Sequence, residues 1–302
     1  MLNAFCEFQY FLFSFNCLLR YSNKTIPFKR GCFFSYLAYM FSKLFGRRKK
    51  EDDEDADRIM QVPAGANWAF LGADMHSHFL PGIDDGAKTI EDSLGMLKAM
   101  KEMGYNTIIT TPHVMIDFYP NTRQTIEAAL NQVQQAVKEH NIDITVRAAA
   151  EYYIDEFFIE LLEKEPLLTI RNKEVLVEFS MMYEPPMLFD VIYKLQSNGY
   201  QPIIAHPERY LFFHKEFQKY RQLKDRGCML QLNMLSIAGQ YGKNIKMIAE
   251  QLLAKQLYDY CGSDMHHEKH AGILKAMIHT KDYLTFVNYP FLNSRLCNTT
   301  EV

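Results

Sequence analysis

Thiols are scarce in this chain, and none is spaced for chemistry. It has six cysteines, Cys6, Cys17, Cys32, Cys228, Cys261 and Cys297, and no two form a C-x-x-C pair. That excludes a disulfide scaffold and a thiolate zinc framework, and reads as reduced, cytosolic usage. Long apolar runs are missing too. Within residues 1–50 no uncharged run is longer than 8–19, about 12 residues, where a bilayer span needs about 20. Glu7 before it and Arg20 after it deny the layout of a secretory signal. No Walker A string is present, which excludes a P-loop kinase. Nor is there a large excess of one charge: 33 Lys/Arg face 36 Asp/Glu, a net charge of −3, which argues against a dedicated nucleic-acid binder. At 48% hydrophobic and 23% charged residues, the composition is that of a globular protein and excludes wholesale disorder.

The charge that is there is unevenly spread. Residues 1–50 carry nine Lys/Arg and one acid, Glu7, and the remainder has a net charge of −11. The segment 33–44, followed by Gly46-Arg47-Arg48-Lys49-Lys50, suits peripheral contact with an anionic membrane surface. The competing reading makes Met40 the natural start, with residues 1–39 untranslated. Residues 51–57 form an acidic, solvated linker. The expected division is an N-terminal aromatic and basic segment with its linker, 1–69, and one folded domain, 70–302.

Within that domain, apolar runs of strand length recur at 70–75, 107–111, 142–150, 174–179, 202–205, 229–232 and 257–261. Helical patterns lie between them at 90–103, 122–140, 156–163, 187–198, 216–226 and 245–254, with a last helix at 267–278. Continuous apolar strands alternating with amphipathic helices specify an α/β fold with a parallel, helix-covered sheet. Seven units predict a closed barrel of the TIM type, one strand short. Such barrels place their chemistry in the loops after the strand C-termini.

The reactive side chains fall at those loops. His76 and His78 follow the first strand, with Asp84 and Asp85 a few residues on. His113, Glu151 and His206 follow the second, third and fifth strands, and Asp264 and His266 follow the seventh. Five histidines and several carboxylates at one end of a barrel suit borderline divalent ions such as manganese, iron or zinc. His76 and His78 share a face of an extended chain, and Asp264 and His266 repeat that spacing. Eight donors are too many for one ion, and a carboxylate such as Glu151 can bridge two. His140, His214, His267, His270 and His279 map to helices or helix starts and read as surface residues. His267-Glu268-Lys269-His270 is one residue short of the zincin spacing. Glu178 and Asn233 stand at the ends of the fourth and sixth strands, where a supporting role and a plain structural one fit equally. Tyr152, Tyr153 and the loop Tyr183-Glu184-Pro185-Pro186 either line the cleft or pack the barrel rim.

Asp74-Met75-His76-Ser77-His78, Pro81-Gly82-Ile83-Asp84-Asp85-Gly86, Thr111-Pro112-His113, Ala149-Ala150-Glu151, Ala205-His206-Pro207-Glu208-Arg209-Tyr210 and Gly262-Ser263-Asp264-Met265-His266 together resemble the PHP (polymerase and histidinol phosphatase) superfamily. Within it, the Pro-Gly-Ile-Asp-Asp-Gly and His-Pro-Glu-Arg-Tyr strings resemble the CpsB/CapC-type bacterial tyrosine-protein phosphatases of capsule and exopolysaccharide clusters. The resemblance covers about residues 70–280. It implies a distorted TIM-like (β/α)7 barrel holding three divalent metal ions, commonly manganese. It implies His76, His78, Asp85, His113, Glu151, His206, Asp264 and His266 as metal ligands, with Asp84 the weaker of its pair. It matches Arg209 to an arginine that holds substrate phosphate. Arg209, Asp264 and His266 are the residues expected to act in catalysis.

The activity so implied is phosphotyrosine hydrolysis by a metal-activated hydroxide. No cysteine is followed by arginine in C-x5-R spacing, so a thiolate phosphatase is excluded. The implied partner is the Tyr-rich C-terminal tail of a capsule-cluster tyrosine autokinase, a disordered substrate, and the implied location of this protein is the cytoplasm. Three alternatives stay open: a PHP phosphoesterase acting on histidinol phosphate or a similar small phosphate, a non-catalytic regulatory binding protein, and a nuclease. The last needs a basic groove, which a body of charge −11 does not favour.

Overall fold

A computed structural model describes residues 65–297. The expectations for the N-terminal segment, the start at Met40 and the acidic linker lie outside the described residues.

The sheet is built from β1 (Ala73–Asp74), β2 (Thr107–Thr110), β3 (His113–Val114), β4 (Thr145–Ala148), β5 (Glu151–Tyr153), β6 (Glu174–Glu178), β7 (Gln201–Ala205), β8 (Met229–Asn233) and β9 (Tyr260–Gly262). Every named pairing is parallel, in the orders β1-β2-β4 and β3-β5-β6-β7-β8-β9. The two sheets are one. Thr111-Pro112 separates β2 from β3, and proline has no N–H for the ladder. Ala149-Ala150 separates β4 from β5 at the same level. Each interrupted pair is a single bent stave, giving seven in sequence order. The curled sheet closes where Ser77 and Met265 form a parallel bridge, flanked by Asp264 N–H to His76 O (2.7 Å) and His78 N–H to Met265 O (3.0 Å). The result is the seven-stave barrel that the alternation predicts, in the distorted (β/α)7 form that the resemblance implies.

The helices are α1 (Ile90–Glu102), α2 (Arg123–Glu139), α3 (Glu156–Lys164), α4 (Leu188–Ser197), α5 (Gln218–Asp225), α6 (Met234–Ile237), α7 (Lys243–Ala254), α8 (Glu268–Met277) and α9 (Lys281–Val287). Their starts are written in the sequence. Thr89 with Asp92 and Thr122 with Thr125 close reciprocal caps on α1 and α2, and Asp155 accepts from Phe158 N–H on α3. None of the helices among the described residues is long and apolar enough to cross a membrane.

The core has two compartments. A large apolar layer fills the space between strands and helices. A smaller one fills the barrel interior: Ala73, Met75, Ile109, Ala149, Ile170, Leu176, Ile203, Ala205, Tyr260 and Leu296. Leu296 arrives from the C-terminal segment, whose turn at Asn293–Leu296 seats against the barrel. Asn293 Nδ2 donates to Ala73 O (3.0 Å) and Cys261 O (2.7 Å), and its Oδ1 accepts from Cys261 N–H (3.0 Å).

The first strand is shorter than expected. Ala69–Leu71 form a 3-10 turn, Phe70 is half out in solvent, and Gly72 at φ +73° redirects the chain into β1. Trp68, just ahead of the boundary expected at 70, is fully buried. It packs edge-on to Tyr283 and Phe286, and its Nε1–H donates to Leu274 O (3.2 Å).

Candidate metal centre

The β1 stave delivers His76 and His78 to the barrel mouth, both with no solvent exposure. The loop behind them is pressed close: a Cβ on Gly86 would collide with His78. That loop separates the two neighbouring acids. Asp84 turns inward as a brace, its Oδ2 accepting from His78 Nδ1–H (2.8 Å) and its Oδ1 from Gly86 N–H (2.9 Å). Asp85 reaches across the mouth to His113 Nε2 (3.5 Å) and His266 Nε2 (3.4 Å). The rest of the ring comes from β3, β5, β6 and the turns after β7 and β9. His206 and Asp264 hold left-handed backbone, at φ 31° and 48°. Non-glycine residues rarely adopt it, and it concentrates at functional sites.

All eight candidate ligands meet in one pocket. Four overlapping groups bring ligand atoms within 4.8 Å of one another: His78, Asp85, His113 and His266; His76, His78 and Asp264; His76, Glu151 and His206; and His113, Glu151 and Glu178. Glu151 joins two of them, with Oε2 3.1 Å from His76 Nε2 and 3.2 Å from His113 Nδ1, and Oε1 3.1 Å from His206 Nε2. Glu178, which the sequence left undecided, lies 3.1 Å from His113 Nδ1.

Neighbouring acceptors fix which imidazole nitrogen is free. Gln231 Nε2 donates to Leu232 O (2.6 Å), so its Oε1 accepts from His206 N–H (3.2 Å) and His76 Nδ1–H (2.9 Å). His78 Nδ1–H is taken by Asp84, and His266 Nδ1–H by Asp264 O (2.9 Å). Each arrangement leaves Nε2 as a lone-pair donor to the centre. His76 Nε2, His78 Nε2, Asp85 Oδ1 and Glu151 Oε2 are buried and form no directed hydrogen bond. Unpartnered buried polar atoms cost about 1–3 kcal/mol each. Converging imidazole and carboxylate atoms with no thiolate among them fit divalent cations.

Electrostatics agree. Burial alone would raise the Glu151 and Asp264 carboxyls, but the His76 imidazole beside both, with His113 and His266, holds them well below the usual range. Burial would lower His113, yet Glu178 and Glu151 push it up to about 10. The pocket keeps its carboxylates ionised and demands positive charge among them.

Arg209 sits at the edge of this centre. Its Nη1–H donates to Asp264 Oδ2 (3.0 Å), and its guanidinium stacks 4.3 Å from the Tyr241 ring centre. Asn233 Nδ2 donates to the same Asp264 Oδ2 (2.7 Å) and to Tyr241 Oη (3.1 Å). Buried Glu208 holds this group from behind, accepting from Asn233 N–H (3.0 Å), Ser236 Oγ–H (2.7 Å) and Tyr258 Oη–H (2.9 Å).

One reading of the sequence is corrected and one open alternative is decided. His270 is buried rather than on the surface: its Nδ1 accepts from His266 N–H (3.3 Å), and burial pulls it down to about 3. Tyr152 points away from the cleft, its ring packed on Phe158 and its hydroxyl accepting from Leu168 N–H (2.8 Å). Gln231 and Tyr241 were not anticipated. Gln231 had a signal, as the one polar residue inside the run 229–232.

Comparison with known proteins bears on the same region. The chain is 32% identical over 197 residues to the tyrosine-protein phosphatase YwqE of Bacillus subtilis, covering 65% of this chain and 78% of that one. It is 30% identical over 200 residues to the tyrosine-protein phosphatase CpsB of Streptococcus pneumoniae, covering 64% and 82%. Its fold superimposes with a TM-score of 0.64 and 28% identity on a chain from the crystal structures of YwqE and CpsB, described as unique metal-dependent tyrosine phosphatases, over 76% of this chain and 96% of that one. Residues 72–279, which span the whole ring of candidate ligands, match the profile of the family described as capsular polysaccharide synthesis, CpsB/CapC, and the chain belongs to that family.

Proposed function

We propose that this protein is a metal-dependent protein-tyrosine phosphatase. One observation carries the reading: Glu151 joins two ligand groups of a buried cluster in which His76 Nε2, His78 Nε2, Asp85 Oδ1 and Glu151 Oε2 converge without hydrogen-bond partners. His76, His78, Asp85, His113, Glu151, His206, Asp264 and His266 would hold the ions, with Glu178 added to the set. Three ions, manganese before iron or zinc, match the number and type of donors. When bound, such ions supply Lewis acidity and lower the pKa of coordinated water.

The chain's own groups do the rest. Arg209 spends one edge on Asp264 and a face on the Tyr241 ring, and makes no further side-chain hydrogen bond among the described residues, which leaves N–H groups for two phosphate oxygens. Asp84, Gln231 and the Asp264 carbonyl hold the ring protons of His78, His76 and His266 on Nδ1, so these rings keep their orientation through turnover. A phenolate leaving group, with a parent pKa near 10, departs without strong general-acid help. This supports phosphotyrosine over aliphatic phosphates. The substrate we assign is the phosphorylated tail of a tyrosine autokinase of the capsule cluster, met in the cytoplasm.

The test is a panel of phosphotyrosine peptide, phosphoserine peptide and histidinol phosphate. Chelation should abolish turnover of the first and Mn²⁺ should restore it. His76→Ala and Asp264→Ala should each lose metal and cost on the order of a thousandfold or more in kcat. Full turnover in metal-free protein, or a clear preference for histidinol phosphate, would sink the assignment.

A further inference from the structure

Five large apolar side chains stand in solvent around one side of the barrel mouth. Ile116 follows β3, Phe157 opens α3 after β5, Met182 and Tyr183 follow β6, and Leu211 follows β7. Each is between 44% and 66% exposed. Among the described residues the other exposed large apolar ones, Phe70, Tyr193, Met247 and Val287, are scattered over the turn before β1 and the helices α4, α7 and α9. Single exposed apolar residues are ordinary; neighbouring loops that all present them are not.

The four loops are contiguous. β3, β5, β6 and β7 pair in that order, so their loops are neighbours. Leu211 N–H donates to Met181 O (3.1 Å), which ties the last two together. Tyr183 and Tyr153 lie close enough to influence one another, as do Asp117 beside Ile116 and Asp155 just before Phe157. The same strands supply His113, Glu151, Glu178 and His206 to the centre. Leu211 is two residues from Arg209.

We infer that these side chains form a docking rim for an unfolded protein segment that carries phosphotyrosine with aliphatic or aromatic residues beside it. The inference rests on the phosphatase reading above. A phosphate held at Arg209 fixes one residue of the segment in the mouth. Its neighbours, spaced about 3.3 Å apart in extended chain, run outward over the loops. Contact with apolar rather than charged side chains selects for apolar neighbours and adds affinity without touching the chemistry.

Two phosphotyrosine peptides test this, one flanked by Leu and Phe, the other by Ser and Gly, with p-nitrophenyl phosphate as the reference for chemistry. The wild-type protein should favour the apolar peptide by about tenfold in kcat/KM, through KM. Met182→Ser/Tyr183→Ser/Leu211→Ser should erase that preference while p-nitrophenyl phosphate turnover stays within about twofold. Should that variant lose p-nitrophenyl phosphate turnover as well, Ile116→Ser/Phe157→Ser on the adjoining loops takes its place. Equal treatment of the two peptides by the wild type, or a preference that survives the rim substitutions, overturns the rim. A dimer that the substitutions dissolve also overturns it, since a second copy then covers the surface. If neither peptide nor p-nitrophenyl phosphate is hydrolysed, the phosphatase reading has failed and the rim falls with it.

Discussion

His76 faces two demands at once: its Nε2 must offer a lone pair to the space it shares with the Glu151 and Asp264 carboxylates, and its Nδ1 proton needs a home in a dry interior. Gln231 meets the second so that the first holds. Gln231→Leu strands that proton and the His206 N–H together. It should weaken metal binding by about 10–100-fold, read by metal titration, and lower the melting temperature. Unchanged metal affinity would remove Gln231 from the centre. Arg209→Ala tests the opposite case, a charged side chain outside the ligand ring. Metal content should hold while kcat/KM for a phosphotyrosine peptide falls by about 2–4 kcal/mol of transition-state stabilisation. Most donors were legible because they follow the end of an apolar run, where a barrel puts its reactive groups; Asp85, deeper in its loop, was legible only through the resemblance. Tyr241 was not, since a phenol in a loop carries no ligand signature, and Gln231 showed only as the one polar residue of its apolar run. His270 was misread because its helix start resembles any exposed one, and only the fold shows His266 N–H aimed at it.

Strand ends carry the precision of the site. Gly262 closes β9 directly under His76, and a Cβ there would stand 2.6 Å from His76 Cβ and 3.0 Å from Gln231 Nε2. Both neighbours are buried, so neither can give way cheaply. Gly262→Ala should cost about 1–3 kcal/mol in stability and reduce bound metal by displacing His76. A melt and an elemental analysis check it; an unperturbed metal content would show that the strand end has slack. At this scale the sequence was informative. Seven apolar runs became seven staves, because a strand covered on both faces has to be apolar throughout. The edges were less readable. Phe70 and Leu71 look like strand, but Gly72 needs positive φ, and the preceding residues curl into a turn. Thr111-Pro112 and Ala149-Ala150 lie within apolar stretches, so the bends they make in two staves leave no mark in hydropathy.

The molecule depends on both margins of the described region. The C-terminal segment beyond the family match places Leu296 inside the barrel and three Asn293 hydrogen bonds on β1 and β9. A chain ending at residue 280 should lose about 3–5 kcal/mol of stability or fail to fold cooperatively. Removing residues 1–39 should leave melting temperature and turnover unchanged, whereas a start after Trp68 should not. Comparing the three melts decides both points. The barrel seam has a further consequence, for synthesis. The two staves that meet at Ser77 and Met265 are the first and the last, and Asp74 holds Ser263 across 189 positions of sequence. A chain emerging from the ribosome carries His76 and His78 early, but Asp264 and His266 only after every other stave has been made. Partial products are therefore inert however well they fold, and competence arrives in one step when the last strand is seated.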